Sequence, residues 1–206
     1  MTLEPVLQRK LIEAVADQVI RHTDELVALD QAVGDGDHGL NMTRGFEAVL
    51  VDLDKTAALP TSEAFKAVGM ALVMKVGGAS GPLYGTLFMA MGKALPEQAT
   101  LVGISDAFAA AIDAVKARGK SDIGAKTMLD VLVPLSAVLR EGGAELPARL
   151  RASASAAAAA TVPMKATRGR ASFLGERSIG HMDPGARSSE LIVHAILEVL
   201  EQEEIV

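Results

Sequence analysis

Apolar positions along this chain recur at three-and-four spacing, and strand-like alternation is absent. Leu3, Leu7, Leu11, Ala14, Val15, Val19, His22 and Leu26 form one stripe, which predicts a first helix ending before the acidic stretch at Leu29. His22 on that stripe reads as a packed or rim residue. A second helix is expected over 40–53, followed by a loop over 54–60. A third apolar segment, 62–76, runs into Gly77-Gly78-Ala79-Ser80-Gly81-Pro82, and a fourth helix then carries Leu83, Leu87, Met91 and Leu95 and stops at Pro96. Ser105 is a good N-cap for a fifth helix over 106–118. The sixth is expected from the Gly124-Ala125-Lys126-Thr127 stretch to Arg140, kinked at Pro134. Gly142-Gly143 breaks the chain before Pro147, a natural first helical residue, and an alanine-rich seventh helix reaches Val162, its alanines pointing to close helix packing. A long connection, 163–185, precedes the last helix, 187–201.

This makes about eight helices joined mostly by short loops, an all-α chain with antiparallel neighbours in up-and-down order. In such an order the first, third, fifth and seventh connections share one rim. They are the acidic loop, 77–82, 119–124 and 163–185, so every chemically unusual residue converges there, whereas the even loops are bland. No domain boundary or internal repeat is visible, and residues 1–206 read as one domain.

Composition narrows the function. The chain has no cysteine, which excludes disulfides and thiolate metal sites and suits a reducing compartment. A net charge of -6 argues against general nucleic-acid binding, and the scarcity of aromatics removes stacking platforms for single strands. No secretory leader and no membrane-length apolar run is present, so a soluble, cytoplasmic protein with a small substrate is expected.

The stretch Leu29-Asp30-Gln31-Ala32-Val33-Gly34-Asp35-Gly36-Asp37-His38-Gly39-Leu40-Asn41 sets three carboxylates and a histidine among three glycines. Two carboxylates about 5 Å apart repel by roughly 3 kcal/mol at an effective dielectric near 20, so such a cluster calls for a cation. Oxygen ligands point to magnesium, manganese or calcium. A Gly-Asp-Gly turn alone has a blander meaning, an acidic turn. An EF-hand does not fit: counted from Asp35, Phe46 stands where the bidentate glutamate belongs. Gly77 to Gly81 ahead of a helix suits phosphate, although small residues also serve ordinary turns. Gly119-Lys120-Ser121 resembles the end of a P-loop, but Ala114 occupies the place of its first glycine and a helix precedes it. Lys126 and Thr127 read as a helix opening. The 163–185 connection carries three arginines and four glycines and is too long for a mere linker. Arginines facing carboxylates across a metal-bound anion are what phosphoryl transfer requires. These residues point to a magnesium-nucleotide or other phosphate site.

Gly34-Asp35-Gly36-Asp37-His38-Gly39, Gly77 to Gly85 including Pro82-Leu83-Tyr84, Gly124-Ala125-Lys126-Thr127-Met128, and Gly169-Arg170-Ala171-Ser172 through Asp183-Pro184-Gly185 together resemble the nucleotide-binding L subunits of dihydroxyacetone kinases. The resemblance spans essentially the whole chain, with the motifs in order. It implies an eight-helix antiparallel barrel with Mg-ADP or Mg-ATP at one rim. It further implies that Asp30, Asp35 and Asp37 hold two magnesium ions, and that His38, Gly39, Leu40 and Asn41 lie beside the nucleotide. Ala79 and Ser80 would meet the phosphates, and Gly119 and Met128 would border base and ribose. Arg177, with a catalytic part, would close the site together with Asp183 and Gly185.

The same resemblance implies a sugar-binding K subunit as partner. Its phosphate source is either free ATP or a phosphohistidine M-type protein fed from phosphoenolpyruvate, and a homodimer is left open. Rival readings are a Mg-ADP-sensing regulatory module, a subunit acting on another ketose or a tetrose, and a nucleotide module of a fatty-acid kinase.

Overall fold

The computed structural model describes residues 3–97 and 100–205, and all their regular structure is helical. Ten α-helices follow in order: α1 Pro5–Arg21, α2 Thr23–Val33, α3 His38–Val51, α4 Leu53–Ala57, α5 Thr61–Lys75, α6 Ser80–Ala94, α7 Leu101–Gly119, α8 Leu129–Glu141, α9 Leu146–Ala160 and α10 Pro184–Gln202. A 3-10 helix, Arg170–Ser178, lies within the last connection. No described helix is long and apolar enough to cross a membrane.

Eight of these helices form a ring. Helix α1 packs on α3, α3 on α5, and each of α5 to α9 on the next long helix, until α10 returns to α1. This is the neighbour order that an up-and-down eight-helix barrel requires. Helices α5 and α6 meet through glycines: a Cβ on Gly69 would come within 2.8 Å of the Gly85 carbonyl, and a Cβ on Gly85 equally close to that of Gly69. Phe46, Leu72, Tyr84, Leu129 and Leu191 fill the centre. Close packing of the α9 alanines is confined to one face: Ala154 and Ala158 are fully buried against Val131 and Leu135 of α8, whereas Ala156, Ala159 and Ala160 are exposed.

Several boundaries depart from the sequence expectation. The first predicted helix is two: the chain breaks at His22, where Thr23 Oγ1 donates to the Ile20 carbonyl at 2.6 Å and so diverts a side chain onto the preceding turn. Helix α2 then continues through Asp30, which belongs to its last turn and not to the acidic loop. Helix α7 starts at Leu101, because the hydroxyl of Thr100 accepts from the Gly103 amide at 3.0 Å; Ser105, expected as the cap, is buried inside the helix. Helix α8 starts at Leu129 rather than near Gly124, since Gly124 (φ 88) and Lys126 (φ 63) hold left-handed backbone. Pro134 does lie inside α8. Part of the expected 54–60 loop is the single turn α4.

Candidate functional site

The four odd-numbered connections meet at one rim and wall a single cavity. Asp30, Val33, Asp35, Asp37 and His38 form one side, Gly78 to Ser80 with Leu83 and Tyr84 a second, Lys126 to Met128 a third, and Arg168 to Ala171 with Asp183 to Gly185 the last.

Helix α2 delivers Asp30 from its final turn, buried, and the short link to α3 delivers Asp35, exposed, and Asp37, half-buried. One oxygen from each carboxylate lies within 4.8 Å of the others. At that spacing mutual repulsion amounts to about 3 kcal/mol per pair, and three hard oxygens suit magnesium. Asp30 Oδ2 also accepts from the His38 amide at 3.1 Å, which ties the end of α2 to the start of α3. The two helices touch closely at Gly39, where a Cβ would fall 2.3 Å from the Thr23 carbonyl.

His38 is buried, with Nδ1 2.9 Å from Ser80 Oγ and Nε2 3.0 Å from Ser188 Oγ. Burial pulls its pKa down to about 4, against the raising influence of Asp37, so the ring is neutral near pH 7. A neutral imidazole has one donor and one acceptor, and both nitrogens are engaged. The ring thus pins α3 to α6 and α10. Tyr84 extends the pin: its fully buried hydroxyl lies 2.7 Å from Ser188 Oγ, 2.8 Å from Ser189 Oγ and 3.0 Å from the Gly185 carbonyl.

Gly78 (φ 64) turns the chain into α6 beside the Asp37 carboxylate. A Cβ on Gly77 would meet Asn41 Oδ1 at 2.8 Å, so a side chain there would have to displace the Asn41 amide. Across the cavity Asp130 accepts from the amides of Gly124 (2.6 Å) and Thr127 (2.7 Å), holding the turn that presents Met128. Arg170 reaches over the acids to Asp35 at 2.5 Å. This pair is largely exposed and contributes little to stability, but it sets a guanidinium where anionic charge collects. Asp183 caps α10 through the Ala186 amide at 2.7 Å. Burial, reinforced by Asp130 and opposed by the Ala186 amide and Lys126, pushes its pKa up to about 7.

Of the residues singled out from sequence, Asp30, Asp35, Asp37, His38, Ala79, Ser80, Met128, Asp183 and Gly185 line the cavity. Gly39, Leu40, Asn41, Gly119 and Arg177 lie outside its walls. Gly39 serves helix packing, Leu40 is exposed, and Asn41 backs the Gly77 turn. Gly119 ends α7 beside Leu83, and Arg177 is exposed near the end of the 3-10 helix. Sequence reasoning missed Tyr84, Ser188 and the buried Lys126. Lys126 and Thr127 line the cavity from the turn before α8 instead of opening that helix. For Tyr84 and Lys126 the available signal was their place inside glycine-bearing motifs, Tyr84 being the sole tyrosine; Ser188 lies in none of them.

This geometry can be compared with known proteins. The chain is 42% identical over 199 residues to the ADP-binding subunit DhaL of PEP-dependent dihydroxyacetone kinase 1 from Listeria innocua, covering 96% of this chain and 98% of that one. It is 44% identical over 174 residues to the corresponding subunit of Escherichia coli K12, covering 81% and 83%. Among solved structures, the dihydroxyacetone kinase of C. freundii in complex with AMP-PNP and Mg2+ superposes with a TM-score of 0.78 at 26% identity, covering 96% of this chain and 34% of that larger one. The model of the DAK2 domain matches residues 32–198, from the last turn of α2 to deep in α10, and so takes in all four loops of the rim: the chain belongs to the DAK2 domain family.

Proposed function

We propose that this chain is the nucleotide-binding subunit of a dihydroxyacetone kinase, passing a phosphoryl group from Mg-bound nucleotide to dihydroxyacetone held on a K-type partner. The observation that carries the reading is the meeting of three carboxylates, a helix N-terminus and two arginines around one cavity, in a chain matching DhaL subunits almost end to end.

Asp30, Asp35 and Asp37 hold the metal, two ions in this reading, and magnesium there neutralises phosphate charge. The amides at the start of α6, next to Ala79 and Ser80, offer donors at a positive dipole end to the phosphate oxygens. His38 keeps Ser80 in place, and its engaged nitrogens leave it no part as a phosphoryl carrier. Met128 lies toward the base and ribose, Asn41 backs the phosphate turn, and Gly119, Gly39 and Leu40 support the nucleotide edge from outside the cavity wall. Asp183 and Gly185 close the far wall. In this reading the phosphate comes from phosphoenolpyruvate through a phosphohistidine M-type protein, the relatives being named PEP-dependent, and the working compartment is the cytoplasm.

The ketose site lies on the partner. None of the rim loops offers a pocket that grips a small polyol, so the acceptor hydroxyl arrives with a subunit docked over this rim. The test is to incubate the chain with Mg-ATP and dihydroxyacetone, with and without a K-type subunit. Product is expected only with the partner; turnover by the chain alone overturns the assignment.

Arg177→Ala is expected to leave nucleotide affinity near that of the parent, since the side chain lies off the cavity wall, and to slow transfer about tenfold if the arginine meets charge developing in the transition state. Titration calorimetry and turnover at saturating partner separate the two effects, and equal turnover rejects the role.

A further inference from the structure

Lys126 is a cation of the cavity wall whose charge is spent within the protein. Its side chain is 1% exposed, and its ammonium donates to the carbonyls of Met164 at 3.1 Å, Ser178 at 2.6 Å and His181 at 2.5 Å. An ammonium has three protons, and these three acceptors take them all. All three carbonyls belong to the connection between α9 and α10. They fall before, at the end of, and after the segment that carries Arg168, Arg170 and Arg177. The residue adopts φ 63, a costly conformation for a lysine, which persists only where its surroundings enforce it. The neighbouring backbone supports the same geometry: the Thr167 amide donates to the Ala125 carbonyl at 3.2 Å, and that of Ala166 to Ser178 Oγ at 2.9 Å. A small apolar contact of Ala166, Ala171 and Leu174 with Val33 at the end of α2 and the exposed Arg170–Asp35 pair also hold the connection.

We propose that Lys126 is a positioning residue that gathers the arginine-bearing connection into a fixed wall over the nucleotide site, and that it is not itself a phosphate ligand. Taking the ammonium away leaves three converging carbonyl dipoles without a counter-charge, so the connection opens while the ring of helices, which does not use it, stays closed. Burial and an ordinary phosphate-binding role would lead to different results, because a phosphate ligand leaves the nucleotide-free connection unchanged.

The experiment starts with the nucleotide-free chain and an arginine-specific protease. In Lys126→Met, cleavage after Arg168 and Arg170 is expected to accelerate about tenfold, with helical circular dichroism unchanged. If Lys126→Met does not fold, Lys126→Gln, which keeps two donors, is read in the same way. The chain has no cysteine, so Lys126→Cys can be aminoethylated selectively in denaturant and refolded, restoring an ammonium at nearly the same reach. The restored protein is expected to regain slow cleavage. Unchanged cleavage in the Met or Gln variant, or no recovery on aminoethylation, overturns the proposal.

A second measurement rests on the kinase reading. With a K-type partner, the nucleotide KM of the variant is expected to rise about tenfold, with any fall in kcat no larger than that of Arg177→Ala. A fall in kcat with KM unchanged counts against a positioning role. Failure of the kinase reading itself removes turnover from parent and variant alike and leaves the protease result standing.

Discussion

Asp37→Asn is expected to weaken Mg-nucleotide binding about a hundredfold, the largest single effect among substitutions at this rim. Asp37 is the half-buried member of a triad whose oxygens lie within 4.8 Å of one another, and its carboxylate borders the Gly78 turn into α6. An amide keeps the shape and loses the charge, so the remaining acids hold the cation poorly and the phosphates meet carboxylate charge with less to screen it. The same substitution relieves repulsion between acids in the metal-free protein, so its thermal stability without magnesium is expected to equal or exceed that of the parent. Calorimetric titration with ADP, with and without magnesium, reads the first effect and a melting curve the second. Parental affinity in the presence of magnesium would place the metal elsewhere.

At Asp183 stability and charge oppose each other. Its folded pKa, about 7, lies above the 3.8 of the unfolded chain, with burial as the main cause. Below both values the acid is neutral in both states. As pH rises between them the unfolded chain releases the proton first, so the folded state loses stability, by on the order of 4 kcal/mol once pH exceeds 7. Asp183→Asn preserves the neutral shape and can still cap the Ala186 amide through its side-chain oxygen. Denaturant unfolding of the nucleotide-free proteins at pH 5 and pH 8 is expected to show the parent losing stability toward pH 8 relative to the variant. Parallel behaviour would mean that Asp183 ionises normally in the folded protein.

The rim itself was legible in the sequence because two independent regularities coincide: helical spacing identifies the long elements, and short connections make neighbours antiparallel. The acids, the glycine turn and the arginine connection then share an end whatever the details of packing. What stayed illegible depends on single hydrogen bonds or single backbone angles. The break at His22 hangs on one threonine hydroxyl, the start of α7 on Thr100 instead of Ser105, and the late start of α8 on a lysine in left-handed backbone. Periodicity averages over such features. The arginines show the same limit: composition of the 163–185 stretch does not reveal that Arg168 and Arg170 face the cavity while Arg177 does not. Lys126 was unreadable for the opposite reason, since a lysine beside glycines normally signals exposure and here three carbonyls draw it inside.

The closure of the ring by α10 against α1 also has a bearing on biosynthesis. The seam joins residues far apart in sequence, as the Lys10–Glu203 pair at 2.5 Å shows. At ordinary elongation rates of about 5–20 residues per second, the face of α1 that α10 covers waits on the order of ten seconds or more for its partner to be made. The part of α1 that packs on α10 stays uncovered on the ribosome throughout that interval. The nascent ring is therefore an open crescent with an apolar edge, and slowed translation through α10 lengthens the period in which chaperones or a second nascent chain compete for that edge.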